Sequence, residues 1–260
     1  MARRPLVVGN WKMELSHKAA VECARAIKKM LSSVEVSADV VVCPSYPALP
    51  EVAEIFKNSE KVGVGAQHVH WEETGAVTGA VSVLQVSAFA QWCIVGHSEQ
   101  RELLGMSEEH VRDTARLLLT HGITPIVCIG ETFTERQREE TVSRVTQQME
   151  VLLAGLTRPG ISKLVVAYEP IWAISSQNMG ETPEPAAVAE VALLIRKLTA
   201  TKFGGDAAER LRVIYGGSVK PDNVAAYVSE PGVDGALPGN ASTMVSQFVE
   251  IVKQVQKAAE

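Results

Sequence analysis

Along this chain, short apolar runs alternate with stretches whose apolar residues recur every three or four positions. The runs cover residues 6–8, 40–43, 62–65, 92–95, 124–129, 164–168, 212–215 and 235–237. Most are rich in Val and Ile without polar alternation, the pattern of strands buried on both faces. Between them lie helical faces such as Ala20, Ala24, Ile27 and Leu31, and further on Val142, Val145, Met149 and Leu152. Strands alternating with helices predict a parallel sheet with right-handed crossovers. Eight such units predict an α/β fold closed into a single (β/α)8 barrel; a doubly wound open sheet is the alternative. No Pro/Ser/Gly-rich linker or low-complexity tract divides residues 1–260, so one domain is expected.

In a parallel barrel the loops after the strands converge on one mouth, where sites are built. Glu169 follows the run Leu164-Val165-Val166-Ala167-Tyr168 and precedes Pro170, Ile171 and Trp172. Those three residues can shield it from water, a setting that suits a carboxylate to work as a general base. Lys12, just past the first run, supplies a positive charge for an anionic substrate or for charge developing on oxygen. His97 stands at the start of a helical pattern, where the helix dipole favours the neutral imidazole as hydrogen-bond donor. Glu99 is placed to pair with Lys12. Gly216-Gly217-Ser218 and Gly239-Asn240 are short turns whose backbone N–H groups suit a phosphate. His68 and His70 have the look of a metal pair, but no carboxylate or cysteine ligand set accompanies them, and they are read as packing residues.

Composition narrows the functional classes. The 46% hydrophobic content supports a sizeable core, and a net charge of −5 gives no general attraction to nucleic acid or an anionic membrane. No apolar run is long enough to span a bilayer, and Met1-Ala2-Arg3-Arg4-Pro5 leads into the first strand without a signal-peptide core. Cys23, Cys43, Cys93 and Cys128 are scattered without CxxC spacing, as expected of reduced core residues in a cytoplasmic protein.

Five stretches then point to a family. Gly9-Asn10-Trp11-Lys12-Met13, Gly96-His97-Ser98-Glu99, Cys128-Ile129-Gly130-Glu131, Ala167-Tyr168-Glu169-Pro170-Ile171-Trp172-Ala173-Ile174 and Tyr215-Gly216-Gly217-Ser218-Val219 closely resemble the triosephosphate isomerases. The resemblance is colinear over residues 5–255. It implies a TIM barrel and interconversion of dihydroxyacetone phosphate with D-glyceraldehyde 3-phosphate through an enediolate. Glu169 would be the base, His97 and Lys12 would polarise the carbonyl, and Asn10 would help to hold the substrate. Ser218, Gly239, Asn240 and the backbone of Ser175 would hold the phosphate. Residues 170–182 would form a lid that protects the enediolate from water. No metal or organic cofactor is implied, because the substrate carbonyl is its own electron sink.

The resemblance also implies a homodimer, in which residues 70–79 reach into the partner. Trp71 and Val77 in that stretch are apolar groups costly to leave exposed together. Several positions depart from the family pattern. After Ile174 the usual Gly-Thr-Gly-Lys is Ser175-Ser176-Gln177-Asn178, in a segment one residue longer. The last loop reads Pro238-Gly239-Asn240-Ala241-Ser242 in place of Val-Gly-Gly-Ala-Ser, and asparagine tolerates the positive φ that such a turn can demand. Gln67-His68, Ala80 and Gln100 replace the usual Gln-Asn, glutamate and arginine. Two other readings remain: the same chemistry on a longer sugar phosphate such as a tetrulose phosphate, and a non-catalytic binding protein on the same barrel.

Overall fold

A computed structural model describes residues 3–174 and 181–259. The strands are β1 (Leu6–Asn10), β2 (Asp39–Cys43), β3 (Val62–Ala66), β4 (Trp92–Val95), β5 (Thr124–Ile129), β6 (Val165–Tyr168), β7 (Arg212–Tyr215) and β8 (Gly235–Ala236). All pairings are parallel, each strand bonds the next, and β8 returns to β1, which closes the barrel. The helices up to β5 are α1 (His17–Ser32), α2 (Leu49–Phe56), α3 (Val83–Val86), α4 (Ser98–Leu104) and α5 (Glu108–Thr120). After β5 come α6 (Phe133–Gln137), α7 (Thr141–Ala154) and α8 (Arg158–Ile161). After β6 come α9 (Pro185–Phe203), α10 (Gly205–Arg210), α11 (Val224–Val228) and α12 (Val245–Ala258).

The strands read as unbroken apolar runs because both their faces are covered. Leu6, Val8, Val41, Ile94, Ile126, Val165 and Ile214 pack with one another inside the barrel. Val7, Val40, Val42, Val127, Val166 and Val213 point the other way, into the layer shared with the helices. Helix α1 buries Ala20, Ala24, Ile27 and Leu31 in that layer, as its spacing predicts. In α7, Val145, Met149 and Leu152 are buried, but Val142 is 62% exposed, so the stripe begins one turn later than its sequence pattern.

Strand boundaries differ from the sequence reading at five ends. β2 begins one residue earlier, at Asp39, and β3 runs one residue further, to Ala66. β1 runs on to Asn10, so the first polar side chain at the mouth sits on the strand itself. Leu164 is drawn into the turn closing α8, where its N–H donates to Ile161 O at 3.1 Å. Leu237 lies past β8, though its N–H still reaches Tyr215 O at 2.8 Å. Gly130, just after β5, lets the chain ends approach, since a Cβ there would lie 2.0 Å from the carbonyl oxygen of Glu169. That contact sets the depth of the most informative carboxylate.

Candidate active site

Glu169 leaves β6 with its N–H bonded to Ile129 O at 2.7 Å, and the residue is 4% exposed. Its carboxylate meets the start of α4: Oε2 accepts from the N–H of Ser98 at 3.2 Å, and Oε1 lies 2.7 Å from His97 Nε2. His97 caps that helix, and its Nδ1 accepts from the N–H of Glu99 at 3.3 Å. An imidazole whose Nδ1 is an acceptor carries its proton on Nε2, so the neutral ring donates to Glu169.

Lys12 enters from β1. Its Nζ lies 2.5 Å from Glu99 Oε1, the expected pairing, and Glu99 Oε2 is 3.5 Å from His97 Nδ1. The Lys12 backbone has φ +48°, a left-handed value that costs a non-glycine residue of order 1–3 kcal/mol. Two side chains hold it there. Asn10 Oδ1 accepts the Lys12 N–H at 3.1 Å, and Gln67 Nε2 donates to Lys12 O at 2.8 Å while also reaching Cys43 O at 2.9 Å. Gln67, directly after β3, was named in the sequence only beside the departure at His68 and was given no role there.

Asn10, Lys12, His97, Glu99, Glu169, Gly239 and Asn240 line one cleft of about 290 Å³. Glu14 lies at its edge, a contributor that no motif indicated. Gly217 lines it without a side chain, and none would fit, since a Cβ there would lie 2.2 Å from the Tyr215 hydroxyl. Ser218 sits beside the cleft, its N–H and hydroxyl both given to Ala173 O at 3.0 and 2.9 Å. Asn240 begins a 3₁₀ turn, Asn240–Thr243, and is not among the described residues with positive φ. The turn therefore keeps its shape without the tolerance asparagine offers, and its first N–H groups have no carbonyl partner within the turn. Ser175 and the rest of 175–180, the tip of the expected lid, lie outside the described residues.

Beneath the mouth, Glu131 is fully buried and was quoted only as part of a motif. It accepts from Trp172 Nε1 at 2.9 Å and from the Tyr168 hydroxyl at 3.1 Å. Burial pushes its carboxyl above the usual range, against the opposing pull of those bonds. Trp172 also carries the Arg136 guanidinium 4.1 Å over its ring. All four cysteines are free and buried, and burial pushes their thiols up, Cys23 to about 11, so none is disposed to be a thiolate nucleophile. Trp71, which the sequence marked with Val77 as costly to leave exposed, is half-buried within the chain itself: ring centroids lie 4.1 Å from His70 and 3.6 Å from His110.

A closed parallel barrel with a carboxylate against an imidazole and an ammonium at its C-terminal mouth has the build of an enzyme that moves protons on a small anion. The comparisons sharpen that class. The family model described as Triosephosphate isomerase matches residues 5–255. A triosephosphate isomerase of Carboxydothermus hydrogenoformans is 41% identical over 254 residues, 96% of this chain and 98% of the relative. Those of Caldanaerobacter subterraneus subsp. tengcongensis and Pelobacter propionicus are 38% and 39% identical, each over 96% of this chain. The chain belongs to the triosephosphate isomerase family, whose members are aldose–ketose isomerases.

Proposed function

We propose that this protein interconverts dihydroxyacetone phosphate and D-glyceraldehyde 3-phosphate, with Glu169 as the base that carries a proton between adjacent carbons. The 2.7 Å contact between His97 Nε2 and Glu169 Oε1, in the same cleft as Lys12, supports this reading most strongly. When the substrate enters, its carbonyl oxygen takes over the His97 Nε2–H bond. That exchange releases the carboxylate to face the carbon it deprotonates. Lys12 and His97 then stabilise the oxyanion as the C–H electron pair moves into the enediolate. Reprotonation by Glu169 at the neighbouring carbon completes the isomerisation, and His97 serves the proton shift between the two oxygens.

Asn10 keeps Lys12 in its left-handed turn and lines the substrate cleft. Glu99 orients the Lys12 ammonium. Gly239, Asn240 and the backbone of Ser175 take the phosphate, and Ser218 joins them by exchanging its bonds to Ala173 O for phosphate oxygens. The route needs neither metal nor organic cofactor. At about 290 Å³ the cleft has the size of a site for a small phosphorylated sugar.

The working form is a homodimer in our reading. Residues 72–80 are exposed along their length, and Met13, beside Lys12, is 96% exposed, with Leu103 and Leu104 at 76% and 69%. Apolar groups so placed suit burial against a second copy. The protein works in the cytoplasm, a setting in keeping with four free cysteines and with the lack of any described helix long and apolar enough to cross a membrane. Neither nucleic acid nor membrane is a partner. A coupled assay of the purified protein with both triose phosphates and a tetrulose phosphate tests the substrate. Turnover of the two triose phosphates is expected. A marked preference for the tetrulose would reassign the substrate, and no isomerisation of any would leave a binding protein.

A further inference from the structure

Glu169 and His97 come from different strands, and their contact depends on how the ends of β4, β5 and β6 are held. One largely sheltered polar network joins those ends from behind. The Arg101 guanidinium donates through Nε to Gly96 O at 2.6 Å, the residue that precedes His97. Its NH2 group reaches Cys128 O on β5 at 3.0 Å, and its NH1 group pairs with Glu108 Oε2 at 2.7 Å. The other oxygen of Glu108 takes Arg144 NH2 at 2.9 Å and Gln148 Nε2 at 3.4 Å. Gln148, 2% exposed on α7, then accepts the Gly130 N–H through Oε1 at 2.9 Å. Gly130 is the residue against which the Glu169 carbonyl packs.

We propose that Gln148, acting through Glu108 and Arg101, is a positioning residue that fixes the separation of His97 from Glu169. Its amide is the only group among the described residues to hydrogen-bond both Glu108 and the Gly130 N–H. The carboxamide suits both bonds, since it donates to a carboxylate and accepts from an amide at once. Charge-assisted and anchored by the buried Gln148, such a chain transmits a displacement at one end as a shift of backbone at the other. Placement at the reacting groups is worth much in rate: about 1 Å of displacement from a distant substitution can cost 10²-fold. The inference rests on His97 and Glu169 being the reacting pair.

The test compares Gln148→Met, which removes both bonds at similar volume, with Leu152→Ala, which opens a cavity on the same helix. For Gln148→Met we expect kcat to fall about ten- to a hundredfold with KM held within about twofold. The ¹⁵N-linked proton resonance of His97 Nε2 is expected to shift or broaden with it. Leu152→Ala is expected to lower Tm by a similar amount and leave kcat and that resonance in place. Should Gln148→Met fail to fold, Glu108→Gln weakens the same chain at its centre and is expected to give the same two changes. A lowered Tm with unchanged kcat and an unmoved His97 resonance, in whichever of these variants folds, would make the network merely structural and overturn the proposal. Full activity in Glu169→Gln would instead sink the assignment of the pair, and the resonance, which needs no turnover, separates the two failures.

Discussion

Glu131 sets a pH-dependent test at the residue scale. Its folded-state carboxyl titrates above the ordinary glutamate range because burial disfavours the charge. A carboxyl raised on folding contributes stability that is fully present below its unfolded value and lost as pH rises through the folded one. Glu131→Gln keeps an acceptor for Trp172 and carries no charge at any pH. The stability of the variant relative to wild type should therefore increase as pH rises above the ordinary glutamate range in urea titrations. A difference that stays constant through that rise would contradict the buried-charge cost. Glu169, His97 and Lys12, which the structure brings into one cleft, could be singled out in the sequence because each stands within two residues of a strand end. Glu131 and Gln148 could not be assigned roles, because a partner forty residues away in the chain leaves no local signature. Gln148 in particular reads as one more polar residue on an amphipathic helix.

The loop of residues 70–79 carries the prediction at the element scale. Its length marked it as more than a turn, but the sequence did not reveal that Trp71 would be sheltered. His70 Nδ1 accepts the Glu72 N–H at 3.1 Å, and His110 Nδ1 accepts the Ser107 N–H at 3.3 Å, so both rings are fixed before the indole stacks between them. The loop is thus pinned at its base while Val77, near its tip, remains 44% exposed. Aromatic pairs of this kind contribute about 0.5–1.5 kcal/mol each beyond burial. If the proposed homodimer forms through this loop, Trp71→Ala should raise its dissociation constant by about five- to a hundredfold in sedimentation experiments. A fully active wild-type monomer, or an unchanged constant in the variant, would remove the loop from the interface. Helix α7 teaches a related point: Val142 matched the period but precedes the turn where the helix meets the barrel.

At the scale of the whole molecule, eight apolar runs made the closed barrel legible. The pairs that lock its lower rim were not, because they join residues far apart in the chain. Asp234 accepts from Arg196 NH2 at 2.5 Å, from Arg3 Nε at 2.6 Å and from the Val213 N–H at 2.7 Å. Arg196 also donates to the carbonyls of Ala208, Leu211 and Gly232, so it ties α9 to the strand ends. The Arg196 and Asp234 side chains are 10% and 8% exposed. Asp234→Ala leaves a buried cation without its counter-charge, a change that costs about 3–5 kcal/mol. Urea unfolding should register that loss as a lower midpoint, whereas a midpoint within error of wild type would mean water or movement compensates.

All of this scaffolding serves one carboxylate, and replacing its charge tests it most directly. Glu169→Gln keeps the shape and the hydrogen bond from His97 Nε2 while removing the basicity. In the coupled assay with both triose phosphates, turnover of Glu169→Gln should fall by about 10²- to 10⁴-fold, the contribution typical of one acid–base group. Its circular dichroism and Tm should stay close to wild type. A folded Glu169→Gln that keeps more than about a tenth of wild-type turnover, against that typical contribution, would contradict Glu169 as the base.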